Sequence, residues 1–252
     1  MAEHNAGPLA GQTALVTGGA RRIGAALVRA LHGAGANVAI HCRRSRAEAE
    51  ALASELDATR SGSTRVLTGD LLDPATCEQV ATAAAEAWDR LDVVVNNASS
   101  FYPTPVGSID AQAFEDLIGS NLRAPLFVAQ AAAPALRAQR GCIVNLADIH
   151  GQRPRPGYPV YCAAKAGLIM LTRSLAQELA PEVRVNAIAP GSILWPEGPN
   201  ETDAETRAAV VESTPLRRQG EPADLVAALL YLVRDAGFVT GQVLAVDGGR
   251  GL

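Results

Sequence analysis

With 252 residues, 19% of them charged and a formal net charge of −4, the chain is a mildly acidic globular sequence that lacks the basic surface nucleic-acid binding requires. A chain of this length buries roughly three-quarters of its unfolded surface, so its core needs no disulfide or metal staple. The cysteines, Cys42, Cys77, Cys142 and Cys162, are scattered, with no CxxC pair and no histidine at ligand spacing. They read as small buried apolar residues in a reducing compartment, and no metal is expected.

The first ten residues, Met1–Ala10, are polar and read as a frayed lead-in. Neither a signal peptide nor a membrane span is visible, so the expected location is the cytoplasm. Beyond them, short apolar runs alternate with amphipathic segments along the whole chain. The expected strands are Thr13–Val16, Val38–His41, Arg65–Leu67, Val93–Asn96, Cys142–Leu146, Arg184–Ile188 and Val243–Val246. Each is a near-continuous apolar run, the pattern of a strand buried on both faces of a parallel sheet.

The expected helices are Ile23–His32, Ala47–Ala58, Pro74–Trp88, an alanine-rich pair within Asp110–Ala138, Tyr158–Leu179 and Pro222–Arg234. Ser45 with Glu48 three residues on has capping-box spacing, and Asp73 stands before a proline at the first helical position. Alternation of strand and helix with short connections implies right-handed crossovers and helices on both sheet faces. The fold class is therefore α/β, a single doubly wound parallel sheet of about seven strands formed by residues 1–252. Ser192–Thr206, with Trp195, Pro196 and Pro199, is the one extended stretch without periodicity. It follows the sixth strand, where ligands bind in open sheets, and is read as a substrate lid.

The first strand runs into Thr17-Gly18-Gly19-Ala20-Arg21-Arg22-Ile23-Gly24 and then a helix. Glycines there permit a tight turn and close backbone approach to a pyrophosphate at the helix N-terminus, the arrangement of a dinucleotide site. A ribose bearing a free 2′-hydroxyl calls for a carboxylate at the end of the second strand. This chain instead offers His41, Arg43, Arg44 and Ser45, a set suited to a 2′-phosphate, so the expected cofactor is NADPH. Asp70-Leu71 and Asn96-Asn97-Ala98 close the third and fourth strands beside the place of adenine and ribose, though such residues are also ordinary turn formers.

Tyr161 and Lys165 stand at i and i+4 near a helix start and share a face. Lys165 is the only lysine in the chain. A free phenol titrates near 10, so bringing it to neutrality asks roughly 3–4 kcal/mol of the lysine and an oxidised nicotinamide together.

The segment Thr17–Gly24 as TGxxxRxG, Asn96-Asn97-Ala98, Asn121, Tyr161 with Lys165, Pro190-Gly191 and Val246-Asp247-Gly248-Gly249 together resemble the short-chain dehydrogenase/reductases. The resemblance covers essentially the whole chain in the right order and implies a Rossmann-type sheet. It makes Tyr161 the proton donor, has Lys165 bind the nicotinamide ribose, and gives Asn121 a water in a proton relay. Cofactor contacts are expected from Gly18, Arg21, Arg22, Ile23, Gly24, Asp70, Leu71, Asn97, Ala98, Ser99, Pro190, Gly191 and Ser192. Relatives commonly form homotetramers, which the apolar faces of Asp110–Ala138 and Tyr158–Leu179 permit.

Two departures are informative. Arg22 replaces the usual middle glycine, and Asp148 stands where the catalytic serine is expected. Aspartate is a poor partner for a carbonyl oxygen but a good one for an N–H-bearing heterocycle. Both departures are similar to the pteridine reductase branch, as are the stretch Asn97–Pro105 and the segment with His41, Arg44 and Ser45. That resemblance implies that Phe101 sandwiches a pterin and that Arg22 lies by phosphate and substrate. It also implies that Asp148 and Tyr161 together protonate a ring nitrogen, with Ser99 and Trp195 among the substrate contacts. The expected substrates are dihydropterins, with dihydrofolate and oxidised pterins as relatives. A carbonyl reductase of 3-oxoacyl type is the main rival, with Asp148 its difficulty. A non-catalytic nucleotide-binding regulator is a remote one, opposed by the intact Asn121, Tyr161 and Lys165.

Overall fold

The seven apolar runs pair into one parallel sheet. In the computed structural model, which describes residues 7–195 and 202–252, its strands are β1 (Thr13–Val16), β2 (Asn37–Cys42), β3 (Thr64–Thr68), β4 (Val93–Asn96), β5 (Cys142–Leu146), β6 (Arg184–Pro190) and β7 (Val243–Val246). Their order is β3-β2-β1-β4-β5-β6-β7, so the direction of winding reverses between β1 and β4. Helices α1 (Arg22–Gly33), α2 (Arg46–Asp57), α3 (Pro74–Glu86), α4 (Ala111–Ile118), α5 (Ala124–Gln139), α6 (Pro159–Glu178), α7 (Ala204–Glu212) and α8 (Pro222–Leu230) complete the fold. This is the doubly wound parallel sheet expected from the strand pattern, of the Rossmann type that the resemblance implies.

Alternate residues of each strand feed two cores. Ala14, Val16, Val38, Ile40, Val93, Val95 and Val144 face α1, α2 and α8. Leu15, Ala39, Val94, Ile143 and Val185 face α3, α5 and the end of α6. Burial on both sides removes the usual polar alternation, which is why the strands read as unbroken apolar runs. All four cysteines are buried and free. No helix among the described residues is long and apolar enough to cross a membrane.

The structure corrects the reading of the helices in three places. Ser45 precedes α2 without capping it through its side chain, and Glu48 instead faces Arg21 at 3.6 Å. Asp73, by contrast, accepts from the Ala75 amide at 3.0 Å as its cap position predicts. The alanine-rich pair is divided by a π-helical turn, Gly119–Arg123, and a second π-helical turn, Tyr231–Asp235, ends α8. Finally, α7 forms where a loop was expected, started by Asp203, which accepts from the Thr206 amide at 2.7 Å. No residue of α7 is buried, so it has no apolar stripe for a periodicity argument to find. Pro196 and Pro199 of the expected lid lie outside the described residues.

Ile143, fully buried in the centre of β5, tests the two-sided core. Ile143→Ala is expected to lower stability by about 2–5 kcal/mol, read as a reduced urea midpoint at unchanged m-value.

Candidate active site

At the sheet's reversal point, the turn after β1 is held by contacts too close for side chains. A Cβ at Gly18, whose φ is +62°, would sit 2.9 Å from Ala98 Cα, and one at Gly24 would sit 2.1 Å from the Gly18 carbonyl. Asn97 locks the turn by donating from Nδ2 to the carbonyls of Thr17 (2.9 Å) and Gly18 (3.0 Å). The Thr17 hydroxyl oxygen accepts in return from the amides of Asn97 and Ala98. The result is a glycine cradle opening onto a helix N-terminus, which fits a pyrophosphate.

Arg22 occupies a left-handed backbone position, φ +52°, where a residue with Cβ pays roughly 1–2 kcal/mol that glycine does not. Its Nη2 donates to the Trp195 carbonyl at 2.8 Å, joining the dinucleotide turn to the segment after β6. Trp195 in turn lies under the Arg207 guanidinium, 5.6 Å from its ring centroid. Ile23, partly buried, packs against the α1/α2/α8 core.

His41 has a different place from the one its position suggested. The imidazole is 2% exposed; Nδ1 accepts from the Gly18 amide at 3.4 Å and Nε2 donates to the Gly69 carbonyl at 3.1 Å. Burial holds its pKa below the ordinary histidine value, so the ring is a neutral strut between turn and β3 rather than a cationic phosphate ligand. Arg43 is drawn to Asp70 (3.6 Å) and Asp116 (3.9 Å). Among the described residues Arg44 and the Ser45 hydroxyl have no such partner, and Arg44 lines a cleft of about 500 Å³ with Arg43, Asp70 and Tyr102. Leu71 is buried in the α3/α5 core, leaving its backbone at the strand end.

On the far side of the sheet, Pro190 ends β6 and the Gly191 amide donates to the Val246 carbonyl at 3.0 Å. A Cβ at Gly191 would meet Asp247 Cα at 2.7 Å, so glycine lets the ends of β6 and β7 close together. Ser192 borders a second cavity of about 500 Å³ outside that corner.

The reactive side chains converge above β4 and β5. Pro159 starts α6, which sets Tyr161 in its first turn and Lys165 one turn on, 4% and 3% exposed. Asp148 follows β5 in extended backbone and divides its carboxylate between two tasks. One oxygen accepts from the His150 amide at 2.8 Å and caps the short turn Ile149–Gly151, while the other accepts from the Tyr161 hydroxyl at 2.7 Å. Lys165 Nζ donates to the Leu146 carbonyl at 2.7 Å and lies 5.7 Å from the Tyr161 ring centroid. Asn121, carried inward by the first π-helical turn, donates to the carbonyls of Ser100 (2.9 Å) and Leu117 (3.0 Å) and accepts from the Ser99 hydroxyl (2.7 Å). Phe101 stacks on Tyr158 with centroids 4.8 Å apart and planes at 14°, and meets Tyr161 edge-on, also at 4.8 Å.

A polar chain beneath this site escaped sequence reasoning. Asn96 Nδ2 donates to Asn145 Oδ1 (2.8 Å), and Asn145 Nδ2 donates to Thr172 (2.9 Å), fixing β4, β5 and α6 in register. Asparagines inside otherwise apolar strands were the available signal, because a buried amide demands partners.

Burial, then the Asp148 carboxylate, pushes the Tyr161 phenol well above its ordinary value. Tyr161 is thus held as a protonated donor. Burial also lowers Lys165 from 10.5 to about 8, with Asp148 opposing the shift. An unfolded lysine keeps its proton to about 10.4, so folding with a charged Lys165 is penalised below about 8, and that penalty fades as pH rises through 8 toward 10. In protein labelled with ¹⁵N-lysine, a single side-chain signal is expected with a midpoint near 8; a midpoint near 10 would mean that Lys165 is solvated.

The profile of the family described as enoyl-(acyl carrier protein) reductase matches residues 18–250, and the chain belongs to the short-chain dehydrogenase/reductase family. It is 37% identical to pteridine reductase 1 of Leishmania tarentolae over 281 aligned positions, covering 95% of this chain and 96% of that one. It is 34% identical to a 3-oxoacyl-(acyl-carrier-protein) reductase of Staphylococcus aureus, covering 94% and 97%. A blue fluorescent protein from a metagenomic library, solved in complex with NADPH, superposes with a TM-score of 0.90 at 35% identity, covering 97% of this chain and 100% of that one. The protein is accordingly an oxidoreductase of this family.

Proposed function

We propose that this oxidoreductase is an NADPH-dependent pteridine reductase that converts dihydropterins, and related folates or oxidised pterins, to their reduced forms at a ring C=N bond. The observation that carries this reading is Asp148, whose carboxylate stands 2.7 Å from the Tyr161 hydroxyl. An ionised carboxylate repels a carbonyl oxygen, whereas the N–H-rich 2-amino-4-oxo edge of a pterin satisfies it.

The glycine cradle at Gly18 and Gly24 would hold the cofactor's pyrophosphate, with Arg21, Arg22 and the backbone of Ile23 beside it. Arg44 and Ser45 would take the 2′-phosphate, with Arg43 beside them and His41 bracing the turn. Asp70, Leu71, Asn97, Ala98 and Ser99 would border adenine and ribose, and Pro190, Gly191 and Ser192 the nicotinamide end. NADPH, when bound, supplies the hydride. The chain's own groups manage the proton. A substrate that donates to Asp148 withdraws the acceptor of Tyr161 and leaves that hydroxyl free to protonate the ring nitrogen. Lys165 supplies positive charge on the other side of the phenol, and Asn121 holds the water that restores the proton. Phe101, stacked on Tyr158 and edge-on to Tyr161, is the aromatic wall for a flat substrate, with Arg22, Ser99 and Trp195 at its margins. Exposed apolar residues on α4 to α6 (Phe114, Leu126, Met170) and Leu244 on the sheet edge support assembly as a homotetramer.

A second reading, reduction of a 3-oxoacyl thioester, is favoured by the likeness to the Staphylococcus aureus enzyme. NADPH oxidation by purified protein, with dihydrobiopterin, dihydrofolate, simple ketones and 3-oxoacyl thioesters in parallel, separates the two. Turnover confined to the pteridines is expected, and turnover confined to the ketones would sink the proposal. In Asp148→Ser, kcat/KM for the pterin should fall at least 100-fold while NADPH affinity changes less than threefold. Unchanged pterin turnover would remove Asp148 from the mechanism.

A further inference from the structure

Among the described residues, the arginines at 21, 29, 43, 46, 90, 123, 218 and 234 pair with carboxylates. Two at the mouth of the catalytic site do not. Arg155, on the segment between Asp148 and α6, sets its guanidinium carbon 4.6 Å from the Tyr158 ring centroid and 5.6 Å from that of Phe101. It thus lies along the aromatic pair that ends edge-on at Tyr161.

Arg250 reaches the same mouth from the other side. Beyond β7 the chain folds around Asp247, whose carboxylate accepts from the amides of Gly249 (2.9 Å) and Gly251 (2.5 Å). This turn lays Gly251 against Ile149, the neighbour of Asp148, where an added Cβ would be 3.7 Å from the isoleucine methyl. Arg250 is half-buried there. Burial and then repulsion from Arg155 lower its pKa, while Asp148 opposes them, so the two guanidiniums and the catalytic carboxylate share one field.

Among the described residues neither Arg155 nor Arg250 forms an ion pair or a side-chain hydrogen bond. Asp148 makes an ion pair with neither, its oxygens being engaged by the Tyr161 hydroxyl and the His150 amide. Two half-buried like charges close enough to repel one another are unfavourable unless an anion completes the set. Paired planar forks suit a carboxylate or a phosphate.

We propose that Arg155 and Arg250 clamp an anionic tail of the substrate, so that the site prefers pteridines carrying a carboxylate or phosphate on their side chain over those with a neutral one. The inference rests on the pteridine reading and names its substrate class.

The test compares kcat/KM for dihydrobiopterin (neutral tail), dihydrofolate (carboxylate tail) and dihydroneopterin monophosphate (phosphate tail) in the wild type, Arg155→Gln and Arg250→Gln. Ratios of acidic to neutral substrate within each variant cancel any general loss of folded or active protein. The expected result is a wild-type preference for at least one acidic substrate that drops about tenfold or more in each variant, mainly through KM, and that weakens with added salt. Whichever acidic substrate loses its preference identifies the tail as carboxylate or phosphate. Ratios that are the same in wild type and both variants, with dihydrobiopterin still reduced, overturn the clamp and leave the pteridine reading standing. Absence of turnover with all three overturns both.

Discussion

Burial of the sheet on both faces is the constraint from which the rest follows. The central strands, packed between two helical layers, leave little room for charged side chains along their length, so polar chemistry is driven to their carboxyl ends. There the winding reverses between β1 and β4, and the glycine turn, the ends of β4 and β5 and the start of α6 meet. Asn96 and Asn145, buried amides within the strands, are each given a partner, and the chain of amides ends on Thr172 of α6. The helix bearing Tyr161 and Lys165 is therefore tied to the strands beneath the site, with little freedom to slide.

Above that foundation the electrostatics are arranged around one carboxylate. Asp148 is at once a turn cap and the acceptor of the Tyr161 hydroxyl. Burial makes the phenol a weaker acid and the ammonium of Lys165 easier to deprotonate, so both groups lean toward their uncharged forms. The phenol so held keeps its proton, donated to Asp148.

Most of the architecture was legible in the sequence because two-sided burial writes itself as apolar runs, and all seven strands lie where those runs are. The same logic hid α7, whose residues are all outside the core, and it could not foresee the π-helical turn that swings Asn121 inward, since one inserted residue leaves no trace in composition. At the site, glycine positions and the Tyr161–Lys165 spacing were readable from backbone and helix geometry alone. The state of individual groups was not. His41 could be placed at a phosphate by its position, yet its burial between Gly18 and Gly69 depends on contacts distant in sequence. The shift of Tyr161 likewise depended on which neighbour came within hydrogen-bonding distance.

The burial of the chain's single lysine in α6 gives the molecule an unusual outer skin. Positive charge on the surface is carried by guanidinium, and no ε-amino group is offered to solvent. Electrophiles that seek amines, such as activated esters or aldehydes, find no side chain to acylate or condense with on the exterior. Dicarbonyls that seek guanidines find many. Amine-directed modification that peppers an ordinary protein would here either spare the side chains or, on reaching the one buried amine, strike the candidate site.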